Sequence, residues 1–243
     1  MGLIGRYTFQ LQPQDGDFTE QILASSLGDY ILQAAGKNAD DNGFGIRELH
    51  PDHHTWVLIR MATEMTEMPK IYQQITIETW IETIGRASTT RNFILRNEQN
   101  VPIGFATTNW AMIDLNTRKP IDLGAIPSLS HFISGNSIPI APPAKLPSVE
   151  GNLISTRQTQ YSDIDFNRHV NSMKYLQWVL NEYSVDWHAE HTIKRFDVNF
   201  LHEAFYGEEV SLYRKEDAGK DQFQINRQNK EVLCKVQLQW TKN

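Results

Sequence analysis

One cysteine, Cys234, stands in the 243-residue chain, so no internal disulfide can form. No apolar run approaches the ~20 residues needed to span a bilayer, and stable membrane insertion is not expected. Positive charge is in deficit, with a formal net charge of −6, which argues against a general nucleic-acid binder because phosphate contact requires a basic face. The stretch "MGLIGRYTFQLQPQ" has neither the basic nor the apolar region of a secretory signal, and Arg6 stands where a myristoylation pattern wants Ser or Thr. Cytoplasmic residence is the expectation. No G-x-S-x-G, P-loop or dinucleotide fingerprint is present, so the serine-elbow route to ester cleavage and nucleotide chemistry are not indicated. His50–His54, "HPDHH", lacks regular ligand spacing, and "HEAFY" at His202–Tyr206 has Tyr206 where a zinc helix needs its second histidine. Neither a metal nor a cofactor is expected.

What is present is one order of elements, written twice. A strand over Ile4–Leu11 is followed by a helix over Asp17–Gly36, in which Ile22, Leu23, Leu27, Tyr30, Ile31 and Ala34 recur at helical spacing and Asp17 with Glu20 reads as a capping pair. Strand patterns follow, among them "QQITIETWIETI" with Ile75, Ile77, Thr79 and Ile81 in alternation. The second half repeats this: a strand over Leu153–Tyr161, a helix from Asn171 to Trp187, then four more strands. Between them, residues 120 to 150 hold six of the ten prolines and read as an extended linker. The expected division is 1–125, a linker at 126–150, and 151–243. A lone long helix with a meander of strands is buried most economically by a sheet curled around it. The fold class is therefore α+β, a double hotdog whose halves are expected to pair as hotdog subunits do. In the last strand Cys234 alternates in phase with Val236 and Leu238 and is expected to be an inert core thiol.

The chemistry concentrates in "SDIDFNRHVNSMKY", Ser162–Tyr175, where Asp163, Asp165, Asn167 and His169 alternate just ahead of the second helix. Two carboxylates, an amide and an imidazole grouped ahead of an apolar helix are held against a buried element, where they read either as a reaction site or as caps and turns. Asn171 reads as the N-cap of that helix, whose first-turn amides offer further donors.

This motif resembles the S-D-L-D-x-N-x-H-V-N-N-x-x-Y signature of the acyl-ACP thioesterases, departing conservatively at Ile164 and Ser172. "NGFG", "TWVLIRM", "IETW" and "TTNWAMIDLNTRKP" extend the resemblance through the first half in the right order. It implies hydrolysis of a fatty acyl thioester on acyl carrier protein, with Asp165, Asn167, His169 and Glu203 as the catalytic set. Plant members carry Cys after the glutamate. Ala204 stands here, so a thiol nucleophile at that position is excluded. The resemblance also implies that the first half shapes an acyl pocket, for which Leu23, Leu27, Tyr30 and Ile31 are candidates. The first half has no Asp–Asn–His cluster, and one active site per chain is expected. The acidic carrier calls for a locally basic face, with Arg86, Arg91, Arg96, Arg118, Lys119, Lys174, Lys194 and Arg195 as candidates. An acyl-CoA thioesterase on the same scaffold and a non-catalytic acyl-binding protein are the competing readings. A homodimer is left open.

Overall fold

The computed structural model describes residues 4–217, 219–228 and 230–243. The chain divides into two compact units, Met1–Pro143 and Ala144–Asn243.

In the first unit, β1 (Gly5–Gln10) leads to α1 (Ala24–Asp41), the single-turn α2 (Ile46–Leu49), and then β2 (His54–Met65), β3 (Gln74–Ile84), β4 (Thr89–Arg96) and β5 (Pro102–Asp114). The strands form an antiparallel sheet in the order β1-β3-β4-β5-β2. Alternation puts Thr79, Phe93, Ala106 and Thr63 in one row across four strands. All four are buried, so this row belongs to the core. The helix packs on β3 and β1. Its buried face combines two large side chains, Leu27 and Ile31, with Ala24, Gly28, Ala34, Ala35 and Ala39. Small residues let the helix approach the sheet closely, and each large one contributes about 1.5–3 kcal/mol by leaving water.

In the second unit, β6 (Asn152–Gln158) leads to α3 (Ser172–Leu180), α4 (Val185–Glu190), β7 (His191–Phe200), β8 (Glu209–Asp217), β9 (Lys220–Arg227) and β10 (Val232–Lys242). The order β6-β8-β9-β10-β7 reproduces that of the first unit strand for strand, again antiparallel. Two tandem hotdog units in an α+β chain are the result. Cys234 is wholly buried, which pushes its thiol well above the usual range.

Three expectations about helix bounds and surface charge are corrected. The first helix starts at Ala24 and runs through Gly36 to Asp41, with Leu23 as N-cap. Asp17 and Glu20 lie outside it, in a preceding turn. The second helix is broken at residues 181–184, where Ser184 Oγ accepts from Trp187 N at 3.1 Å and starts α4 afresh. Arg91 and Arg195 are buried, at 4% and 7% exposed, and cannot serve a docking face. Arg91 Nη1 instead donates to Asn38 Oδ1 at 2.7 Å and Thr79 Oγ1 at 3.2 Å, and burial lowers its pKa to about 10.

The proline-rich stretch is not the extended linker expected throughout: it begins with 3-10 turns at Leu123–Ala125 and Pro127–Phe132, whose Leu123 and Leu129 are buried in the first unit, and only then runs out as chain tied down within each unit. Ser134 N donates to Ile81 O, and Asn136 O accepts from Trp80 Nε1 at 2.7 Å. Further on, Leu146 N donates to Asn199 Oδ1 at 2.9 Å and Val149 N to Gln224 Oε1 at 3.1 Å. Side chains of the second sheet thus satisfy a backbone that has no strand partner of its own. No helix among the described residues is long and apolar enough to cross a membrane.

Candidate active site

The motif folds as a tight loop between a 3-10 turn at Tyr161–Asp163 and α3. Asp163 Oδ2 accepts from Gln160 N at 2.8 Å, and Asp163 O accepts from Asn171 N at 2.8 Å, closing the loop at its base. Asp165 Oδ1 accepts from the amides of Asn167 at 2.8 Å and His169 at 3.2 Å, while Asp165 N donates to His169 O at 2.8 Å. The carboxylate is thereby held by the backbone it precedes, as in an Asx turn. Arg168, at the tip, takes a left-handed φ of 67°.

Glu203 reaches this loop from the segment after β7, outside any strand. Val170 N donates to Ala204 O at 2.8 Å and docks that segment against the loop. The outcome is a contact of 3.3 Å between His169 Nδ1 and Glu203 Oε1, with both side chains partly exposed. The Phe205 and His169 rings stand nearly perpendicular, at a centroid distance of 5.2 Å. Arg227 Nη2 donates to Glu203 O at 2.7 Å, and its other nitrogens pair with Glu208 and Glu231. The sequence gives no local signal for Arg227, which lies on β9 and acts through the main chain of Glu203. Only pairing of distant strands brings it here.

The other motif residues serve the fold. Asn171 Oδ1 accepts from Met173 N at 2.7 Å as the N-cap of α3, and Asn171 O accepts from Lys174 N. Those two first-turn amides are therefore occupied and are not oxyanion donors. Tyr175 is buried against Trp178 and Phe200, and desolvation pushes its phenol far up. Asn171→Ala is expected to cost about 1 kcal/mol in urea unfolding through the lost cap. A loss below a few tenths of a kcal/mol would show that the cap is redundant.

The first unit contains the same loop. "DGDF" at Asp15–Phe18 matches "DIDF" at Asp163–Phe166, and the main-chain hydrogen bonds of the two loops correspond, whereas that of His169 N to Asp165 Oδ1 has no counterpart among the described residues. Gln12 N bonds Asp15 Oδ2, Asp17 N bonds Gln21 O, Thr19 N bonds Asp17 Oδ1 at 2.7 Å, Leu23 N bonds Asp15 O, and Ile22 N bonds Pro69 O. Glu20 takes the left-handed place of Arg168, at φ 65°. Gln21 replaces the histidine, Thr19 the asparagine, and Met68 precedes Pro69 where Glu203 precedes Ala204. The repeated D-x-D-F was the available sequence signal. Asp17 and Glu20 are thus turn residues rather than a helix cap.

Of the candidate acyl contacts, Leu27 and Ile31 are fully enclosed, whereas Leu23 and Tyr30 are half-buried. Tyr30 OH donates to Asp15 Oδ2 at 2.6 Å, and burial raises its pKa to about 12. Among the described residues, no three His, Cys, Asp or Glu side chains are grouped to hold a metal ion.

Comparison with known proteins identifies the frame. A family model for the acyl-ACP thioesterase N-terminal domain matches residues 3–125, and its counterpart for the acyl-ACP thioesterase C-terminal domain matches residues 148–242. The chain belongs to the acyl-ACP thioesterase family. An acyl-ACP thioesterase from Bacteroides thetaiotaomicron, solved by crystallography, is 33% identical to this family member, with a TM-score of 0.92 over 98% of both chains. The 12:0-ACP thioesterase from Umbellularia californica shares the fold, with a TM-score of 0.86 over 100% of this chain and 99% of that one, at 18% identity. Among curated relatives, the oleoyl-acyl carrier protein thioesterase of Coriandrum sativum is 24% identical over 245 residues, 90% of this chain. Oleoyl-acyl carrier protein thioesterase 2 of Arabidopsis thaliana is 28% identical over 169 residues, 62% of this chain. The chain spans 64% and 44% of the length of these two plant thioesterases.

Proposed function

We propose that the protein hydrolyses fatty acyl thioesters carried on acyl carrier protein, releasing the free fatty acid and the carrier thiol. The contact between His169 and Glu203 supports this reading most directly. A carboxylate accepting from Nδ1–H fixes the imidazole tautomer and leaves Nε2 to take a proton from water. The resulting hydroxide attacks the thioester carbonyl, and the imidazolium returns its proton to the departing sulfur. Asp165, with Oδ1 held by two amides, offers Oδ2 to orient the water. Asn167, an exposed amide without a side-chain partner among the described residues, offers its NH2 to the oxyanion. The chemistry draws on no group beyond these side chains and water. Acyl contact is assigned to α1 through the half-buried Leu23 and Tyr30, with Leu27 and Ile31 backing them. A cytoplasmic setting is part of the proposal, and the buried, unpaired Cys234 fits a reducing compartment.

The test is thiol release from acyl-ACP and acyl-CoA panels by the wild type, Asp165→Asn and Asp17→Asn. Asp165→Asn is expected to slow turnover by about 100-fold or more, with acyl-ACP the preferred substrate. Asp17→Asn, in the copy without histidine or glutamate, is expected to leave turnover unchanged. Faster turnover of acyl-CoA than acyl-ACP would reassign the substrate, and a folded wild type inert on every thioester would leave an acyl-binding protein.

A further inference from the structure

We propose that Arg168 binds the phosphate on the thiol side of the substrate, the phosphodiester of the pantetheine arm that carries the acyl group. This rests on the thioesterase reading above. The first observation is a reversal of charge on an unchanged backbone. Glu20 and Arg168 occupy the same place in two loops that share their main-chain hydrogen bonds, at φ 65° and 67°. A left-handed place favours glycine or asparagine, and neither charged side chain is there to ease the turn. What separates the copies is the sign of the charge, and the cation belongs to the loop that holds His169.

The second observation is that Arg168 is unengaged. The second unit has five arginines. Arg195 pairs with Asp197, Arg214 with Glu216 and Asp221, and Arg227 with Glu208 and Glu231. Arg157 lies over the Trp178 ring at 5.2 Å. Arg168 is exposed and, beyond the bond from its main-chain N–H to Asp165 O, its side chain makes no hydrogen bond or ion pair among the described residues, so its guanidinium can meet an anion. Fatty acyl chains carry no charge. The thiol side of a carrier-bound acyl group does, in the phosphate of its arm, and a guanidinium grips phosphate through paired N–H donors. Exposed Phe166 and Tyr206, at 75% and 71%, offer apolar surface in the same unit for the arm's uncharged length.

The experiment compares wild type, Arg168→Gln and Arg168→Glu on acyl-pantetheine, acyl-phosphopantetheine and acyl-ACP, alongside calorimetric binding of phosphopantetheine and pantetheine. Arg168→Gln is expected to raise KM about tenfold for the two phosphate-bearing substrates at unchanged kcat, with Arg168→Glu worse and acyl-pantetheine indifferent to both. Phosphopantetheine should bind about tenfold more weakly to Arg168→Gln, and pantetheine equally to all three proteins. An equal loss on all substrates would make Arg168 a loop-positioning residue and overturn the proposal. A loss confined to acyl-ACP would assign it to the carrier's protein surface, and no change at all would also overturn it. Active wild type with indifferent variants sinks this inference alone. A wild type inert on all thioesters sinks the hydrolytic reading, while the calorimetric comparison still judges Arg168.

Discussion

Replacing His169 by alanine is expected to lower kcat for acyl-ACP hydrolysis about 10²- to 10⁴-fold, the range that general base catalysis contributes. In the proposed mechanism its ring passes a proton between water and sulfur, and Glu203, 3.3 Å from Nδ1, sets which nitrogen does so. Glu203→Gln gives a sharper test. An amide can turn its NH2 toward Nδ1, which then becomes the acceptor, and the proton moves to Nε2, where a base is needed. The glutamine variant should therefore lose most of the activity that alanine at His169 loses, with the melting curve unchanged. The roles are shared rather than additive, so the double variant should be little worse than either single one. A Glu203→Gln enzyme within fivefold of wild type would remove Glu203 from the proposed mechanism. Full activity in His169→Ala would remove the mechanism itself.

The second large effect concerns stability. Arg195 and Asp197 form a two-pronged pair inside the second unit, with Nε to Oδ2 at 2.7 Å and Nη2 to Oδ1 at 2.9 Å. Asp197 is 1% exposed and also accepts from Ala144 N at 3.4 Å, at the start of the extended segment that ties down onto this sheet. Asp197→Ala removes the carboxylate that offsets a buried guanidinium's charge and is expected to cost about 3–5 kcal/mol in urea unfolding. The pair removed together, as Arg195→Met with Asp197→Leu, should recover most of that loss, because no buried charge is then left uncompensated. A single-variant loss below 1 kcal/mol would mean that water reaches Arg195 readily.

The contrast between these two sites explains how much could be read in advance. Asp165, Asn167 and His169 fall within five consecutive residues, so their chemistry and grouping were both visible in the sequence. Glu203 was reached through resemblance to a family, since nothing local joins it to His169. The joining is done by one bond from Val170 N to Ala204 O, a product of the fold. Arg227 needed the strand pairing itself. The start of α1 was misplaced for a different reason: Asp and Glu at turn positions carry the same pattern as a helix cap, and only the Thr19–Asp17 hydrogen bonds distinguish them. The break before α4 was hidden because apolar spacing continues across the turn. Arg91 and Arg195 looked like surface charge because a strand's alternation does not say which face is covered. The double α+β plan survived all these errors, resting on the order of helix and strands rather than on their ends.

The matched loops bear on how such a site can change. In a homodimer of identical subunits every substitution occurs twice, once in each symmetry-related copy, so a change that suits one place is imposed on the other. A single chain with two tandem versions is free of that coupling. Here one version keeps His169, Glu203 and a cation at its tip, while the other has exchanged all three and retained the turn. Two versions in one chain are separately adjustable parts, and the side chains at Thr19, Glu20, Gln21 and Met68 can vary without imposing a change on Asn167, Arg168, His169 or Glu203.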